Sequence, residues 1–178
     1  MKYSSNSSRP IHIAVSGTPG AGKTTLSKRI AKILGIKYIS LIDVILANKL
    51  YQKYDRRDKT YDVSMGKVEK YLQKNLNFRE SYVIDSHLGQ LLSKKIVEGV
   101  IITTCELSVL NKRLLRRKYS AQKIRDNLDA EIFSVCYTQS VDNKKKTIKI
   151  DCTKKLKEKE IKDITNHLRR HLLLQRPL

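Results

Sequence analysis

A chain of 178 residues, 40% apolar and 30% charged, has the length of one compact domain and enough apolar material to fill its core. Its 37 Lys and Arg against 17 Asp and Glu leave a formal charge of +20, which points to a polyanionic partner or substrate. No apolar stretch approaches the roughly 20 residues of a membrane span, and Cys105, Cys136 and Cys152, odd in number and without CxxC spacing, argue against a disulfide framework or zinc cluster and read as three buried thiols.

The start, MKYSSNSSRP, lacks an apolar signal core and reads as a short disordered lead-in over 1–10 to a single domain over 11–178, which places the protein inside the cell. Short β-branched runs then recur at 11–15, 37–41, 82–85, 100–104 and 147–151, each continuous rather than alternating, as expected of strands buried on both faces of a parallel sheet. Between them lie helical patterns. Leu26, Ile30, Ile33 and Leu34 share one face, and Gly35 supplies the stop. Residues 43–77 read as helical with a mobile connection around YDRRDKTYD. Ile124, Leu128, Ile132, Val135 and Cys136 keep one apolar face through 121–141, and Leu156, Ile161, Ile164, Leu168 and Leu172 do so near the C-terminus. Strands alternating with helices are the pattern of a doubly wound α/β domain.

The segment Gly17-Thr-Pro-Gly-Ala-Gly22-Lys23-Thr24 matches G-x-x-x-x-G-K-[ST] and stands between a buried strand and the first helix, where a phosphate loop must be. Its glycines let backbone N–H groups converge on phosphate oxygens, and the helix directs the positive end of its dipole there. Gly17, Thr18, Pro19, Gly20, Ala21, Gly22, Lys23, Thr24 and the following Thr25 are thus the expected ATP-binding residues, with Lys23 bridging β- and γ-phosphates and Thr24 offering its hydroxyl to Mg²⁺. Asp85 closes the run Tyr82-Val-Ile-Asp85 at the ligand side of an open sheet, where it either joins the Mg²⁺ shell or caps the next turn. His87 reads as either a structural hydrogen bonder or a water-positioning group. Arg113 and Arg117, four apart on one helix face, either clamp a transferring phosphoryl group or are solvated surface.

The loop GTPGAGKTT, the D-x-H of Asp85-Ser-His87, and Arg117-Lys-Tyr119 leading into Asp126-Asn127-Leu-Asp-Ala-Glu131-Ile-Phe133 together resemble the adenylate kinase isoenzyme 6 family, also called coilin-interacting nuclear ATPase proteins in eukaryotes and present in archaea. The resemblance spans about residues 11–141. It implies a P-loop NTPase, adenylate-kinase-like fold of five parallel strands flanked by helices, with a small monophosphate-binding arm at about 40–63 and a short lid at about 116–126. It implies that Gly20, Gly22, Lys23, Thr24 and Thr25 contact ATP, that Asp85 and His87 form a Walker-B-like motif, that Arg117 reaches the phosphates from the lid, and that Asp43 is the acidic residue at the start of the arm. Family members resemble one another in combining ATPase and adenylate kinase activity, ATP, ADP and AMP being the ligands. They act in maturation of the small ribosomal subunit, bound to a platform ribosomal protein, in the cytoplasm and, in eukaryotes, the nucleus. A P-loop kinase for another small metabolite, with no ribosomal role, is the alternative.

The chain departs from the family pattern at two places. Lys118 replaces the glycine of the usual Arg-Gly-Tyr in the lid, which removes backbone freedom at a hinge. The arm, often acidic, here carries Lys49, Lys53, Arg56, Arg57 and Lys59, with Ser64-Met-Gly66 where acidic residues are common. Tyr51 and Tyr54 among these cations either pack the arm helices or stack on bases, and packing is the expectation. Residues 143–178 hold 12 Lys and Arg against 4 Asp and Glu, a surface that suits ribosomal RNA or simply solvent.

Overall fold

A computed structural model describes residues 10–56 and 60–173, with side chains through Arg170. The expected lead-in at 1–9 and the arm cations Arg57 and Lys59 lie outside the described residues, as does the side chain of Leu172.

Five parallel strands form the sheet: β1 (His12–Gly17), β2 (Lys37–Ser40), β5 (Tyr82–Asp85), β6 (Gly99–Thr104) and β7 (Lys146–Asp151), in the order β2-β5-β1-β6-β7. The continuous apolar runs of β1, β5 and β6 supply both faces at once, because successive side chains point opposite ways. The edge strands β2 and β7, expected to be buried on both faces, are instead half-buried to exposed, because each has a neighbour on one side only. Ile13, Val15, Val83 and Ile101 pack on one side with Leu26, Ile30, Ile161 and Leu168. Ala14, Ile84, Val100 and Ile102 pack on the other with Leu41, Ile45, Leu72 and Leu92. The helices supplying those residues are α1 (Lys23–Leu34) and α7 (Glu158–Leu173) on the first face, and α2 (Leu41–Ala47) and α3 (Met65–Asn75) on the second, where Leu92 comes from the segment after β5. Gly35 ends α1 in the left-handed conformation at φ 66°, the expected stop.

Three expectations are corrected. The interruption at 54–62 is a two-stranded antiparallel ribbon, β3 (Tyr51–Asp55) and β4 (Thr60–Val63), in which Tyr54 faces Tyr61 and Tyr51 faces Val63. Cross-strand tyrosine packing, with ring centroids 4.7 Å apart for both Tyr51–Tyr61 and Tyr54–Tyr61, favours strand over helix there, so Tyr51 and Tyr54 do pack, within a hairpin rather than between helices. The pattern over 121–141 is two helices, α5 (Ala121–Ile132) and α6 (Val135–Asp142), separated by Ser134 at φ 50°. They serve different clusters, Ile124 and Leu128 beneath the phosphate loop and Cys136 against the sheet, while Ile132 and Val135 are exposed. Finally, Cys105 and Cys152 are buried but Cys136 is only half-buried.

Candidate functional site

The phosphate loop joins the central strand β1 to α1, at the carboxyl edge where the strand order reverses. Glycine is required there on two counts. Gly17 has φ 134°, and a Cβ on it would lie 2.4 Å from the Thr103 carbonyl oxygen. Gly22 has φ 99°, and a Cβ on it would lie 2.9 Å from the Cys152 Cβ. Both positions need a left-handed backbone at close approach, which other residues resist.

Lys23 folds back over the loop and donates from Nζ to the carbonyl oxygens of Gly17 and Thr18 at 2.8 and 3.0 Å. Desolvation lowers its pKa to about 8, with Arg117 acting in the same direction and Asp85, Cys136 and Glu131 opposing. Arg117 is therefore within electrostatic reach of Lys23. Thr24 and Thr25, exposed in the first turn of α1, line the same cavity.

Asp85 ends β5 directly beside Val15 of β1, only 7% exposed, and accepts a 3.0 Å hydrogen bond on Oδ2 from the Tyr38 hydroxyl. Burial, followed by the Asp85 charge, raises the Tyr38 pKa to about 12, so the phenol stays a donor. His87 lines the cavity two residues on. Desolvation by the cleft walls, then the charges of Lys23 and Lys123, lowers its pKa below the ordinary 6.5, with Asp85 opposing. Asp43 stands in the first turn of α2, exposed, close enough to Tyr38 to help raise its pKa but outside the cavity lining.

The cavity, about 1180 Å³, crosses the carboxyl edge of the sheet from the arm to the segment after β7. Among the described residues, Arg29, Lys23, Arg113, Arg116, Arg117, Lys123, Lys154 and Lys155 line it against the carboxylate of Asp85. Such a wall favours a polyphosphate. Mg²⁺ fits the donors present, since it takes one or two protein oxygens with phosphate and water completing its shell, and Thr24 and Asp85 offer a hydroxyl and a carboxylate in this cavity.

Arg113 and Arg117, read as either a clamp or solvated surface, both line the cavity, and Arg113 is in addition engaged within the protein. Helix α4 (Leu107–Arg116) ends before Arg117, and Arg113 points inward. Its guanidinium donates to the carbonyl oxygens of Gly20 (3.2 Å), Cys152 (3.0 Å) and Thr153 (2.8 Å) and to Cys105 Sγ (3.3 Å). Arg113 thereby holds the phosphate loop to the end of β7. A second brace, which no local pattern announces, is Glu131 at the end of α5. Its Oε2 accepts from Thr18 Oγ1 at 2.6 Å and its Oε1 from the Cys105 N–H at 2.8 Å. The motif Glu131-Ile-Phe133 marks the position but not the role. Tyr38 and Tyr61 likewise escape sequence reasoning, because a tyrosine facing a cleft has no local signature. The lid segment runs from the end of α4 through Lys118, at φ 55°, to the Ser120 hydroxyl capping α5. In the C-terminal basic region Lys145 is turned inward, 7% exposed and donating to the Gln90 carbonyl, because burial against the sheet face outweighs hydration there; the polyanion surface loses it. Glu158 and Lys162, four apart on α7, form a surface ion pair at 2.9 Å.

A family model described as "AAA domain" matches residues 13–134. An adenylate kinase isoenzyme 6 homolog of Schizosaccharomyces pombe is 36% identical over 129 residues, 72% of this chain and 73% of the relative. The chain belongs to the adenylate kinase isoenzyme 6 family. A provisionally named adenylate kinase of Methanocaldococcus jannaschii is 32% identical over 86% of this chain and 84% of the relative. Among solved structures, the shikimate kinase of Acinetobacter baumannii (TM-score 0.57, 15% identical, covering 93% of this chain and 94% of that one) and a gluconokinase of Sinorhizobium meliloti (TM-score 0.53, 16% identical, 93% and 95%) share the fold. The family member described here is thus an adenylate-kinase-like P-loop kinase. Among its described residues no helix is long and apolar enough to cross a membrane.

Proposed function

We propose that this chain transfers the γ-phosphoryl group of ATP to AMP, hydrolyses ATP at the same site, and works in maturation of the small ribosomal subunit beside a platform ribosomal protein. The observation that carries the enzymatic part is the single cavity spanning the carboxyl edge of the sheet, with the phosphate loop at its middle and eight cations against Asp85 on its walls. An oxygen of the AMP phosphate forms a bond to Pγ as the bond from Pγ to the bridging oxygen of ADP breaks, so one ATP and one AMP give two ADP. Lys23 and Arg117 neutralise charge on the transferring group, and the N–H groups of the loop hold the β-phosphate. Thr24 and Asp85 would hold Mg²⁺, which when bound would supply further neutralisation of phosphate charge. Asp43 is assigned to the monophosphate side of the arm.

For hydrolysis, His87 positions water in place of AMP. Its lowered pKa keeps it neutral at pH 7, so one ring nitrogen accepts a proton from the attacking water. The ribosomal part rests on family resemblance and on the exposed Lys154, Lys155 and Lys157 beyond β7, which suit RNA phosphates. Location in the cytoplasm, and in the nucleus of a eukaryote, belongs to the same proposal.

The test is product analysis after incubation with ATP and Mg²⁺, with and without AMP, resolving ADP from free phosphate, on wild type and Lys23→Ala. Two ADP per AMP consumed, phosphate release without AMP, and loss of both by about 2–4 kcal/mol in the variant are expected. Turnover unchanged in Lys23→Ala would overthrow the site; phosphate released by ribosomal protein or RNA alone would favour the assembly role over the transferase.

A further inference from the structure

The backbone of Asp85 lies between two strands, opposite Val15 of β1 and Ser40 of β2, so the sheet fixes the position of its Cα. What the sheet leaves open is the plane of the carboxylate, since rotation about the last side-chain bond of an aspartate is broad. That rotation matters to Mg²⁺, which takes oxygen ligands at about 2.0–2.1 Å in near-octahedral geometry.

The Tyr38 hydroxyl removes this freedom. It donates to Asp85 Oδ2 at 3.0 Å, and among the described residues no hydrogen bond engages Oδ1. Tyr38 is itself anchored. It stands on β2 opposite Val83, its ring packs on the core cluster that holds Leu26, Ile30 and Val83, and Lys28 Nζ lies 5.4 Å from the ring centroid. Among the described residues Asp85 lines the cavity and Tyr38 does not. The phenol therefore acts on a bound group through the carboxylate that it holds.

On the reading that Thr24 and Asp85 hold Mg²⁺, we infer that Tyr38 is a positioning residue for the metal. By holding Oδ2 it sets the plane of the carboxylate and leaves Oδ1 as the ligand oxygen. An outer partner of this kind orients the ligand, and losing it typically weakens metal binding by about 10- to 100-fold.

The test uses Mn²⁺ as the probe, its free concentration read by electron paramagnetic resonance, with a non-hydrolysable ATP analogue and enough protein to bind all of it. Wild type, Tyr38→Phe, Asp85→Ala and the double variant are compared. Phenylalanine keeps the ring that packs beside Ile30 and near Lys28 and removes the hydroxyl alone. Expected for Tyr38→Phe are Mn²⁺ affinity lowered by about 10- to 100-fold and a matching rise in the Mg²⁺ concentration that half-saturates phosphoryl transfer. Its affinity for the analogue in EDTA is expected to change little, because that binding involves no metal. Adding Tyr38→Phe to Asp85→Ala is expected to weaken Mn²⁺ binding no further, since the carboxylate through which the hydroxyl acts is gone. Wild-type Mn²⁺ affinity in Tyr38→Phe, or the same loss from that substitution in both backgrounds, overturns the inference. Mn²⁺ binding by Asp85→Ala as tight as by wild type instead overturns the metal reading on which the inference rests.

Discussion

Two side chains at the site hold protonation or backbone states that their neighbours force on them. His87 is desolvated beside Lys23 and Lys123, so its imidazole loses its proton at a lower pH than an ordinary histidine. If the neutral ring serves hydrolysis, phosphate release stays level above that pKa and falls as pH drops through it, below 6.5. In His87→Ala the acid limb disappears together with most of the hydrolysis, while ATP affinity is nearly retained; a pH–rate profile of phosphate release on both proteins checks this. Lys118 adopts φ 55°, the left-handed region that favours glycine. A side chain there is disfavoured by about 1 kcal/mol, and Lys118→Gly is expected to raise Tm by about 2–4 °C for a domain of this size. Calorimetry decides it, and a lowered Tm would mean that the lysine makes a compensating contact.

At the scale of elements, the site depends on two braces that join segments far apart in sequence. Arg113 on α4 ties Gly20 of the loop to Cys152 and Thr153 after β7. Glu131 at the end of α5 ties Thr18 to the end of β6. Arg113→Ala leaves buried carbonyls without their charged donor and should cost about 1.5–3 kcal/mol, read from the urea midpoint. Arg113→Lys is expected to recover little, because one ammonium does not reproduce the planar fork. Spacing alone pairs Arg113 with Arg117 on one face. The helix instead stops at Arg116, and although both arginines line the cavity, Arg113 is also bonded to the carbonyls of the loop and of the segment after β7. The hairpin of the arm is hidden for a related reason. Its strands are short, charged and exposed, so they lack the apolar alternation by which strands are recognised, and it is their pairing, Tyr54 with Tyr61 included, that defines them.

At the scale of the whole molecule, the positive excess is partly concentrated where it bears on chemistry. Among the described residues eight cations line one cavity with the carboxylate of Asp85, so the field there draws in a polyanionic nucleotide. Raising ionic strength until the Debye length falls from about 10 Å to about 3 Å should raise the apparent KM for ATP several-fold. It should leave kcat less affected, since the charges in direct contact with phosphate are shielded from bulk salt. A KM indifferent to salt would assign the charge to another partner alone.

The sequence by itself determined the five core strands, the first helix with its Gly35 stop, and the phosphate loop, because each depends on residues adjacent in the chain: continuous β-branched runs, one helical stripe, one glycine-rich turn before a lysine. It also placed Asp85 at a strand end, where the register with Val15 then set it beside the loop. Tertiary structure alone decided which charges face the cavity, that Arg113 and Glu131 brace the loop, that Lys145 turns inward, and that Tyr61 is backed by two further rings. Those outcomes depend on hydrogen bonds and burial between segments as much as 113 residues apart, as between Thr18 and Glu131. Local periodicity carries no record of such partners, because a side chain's surroundings are set only when the sheet orders its strands.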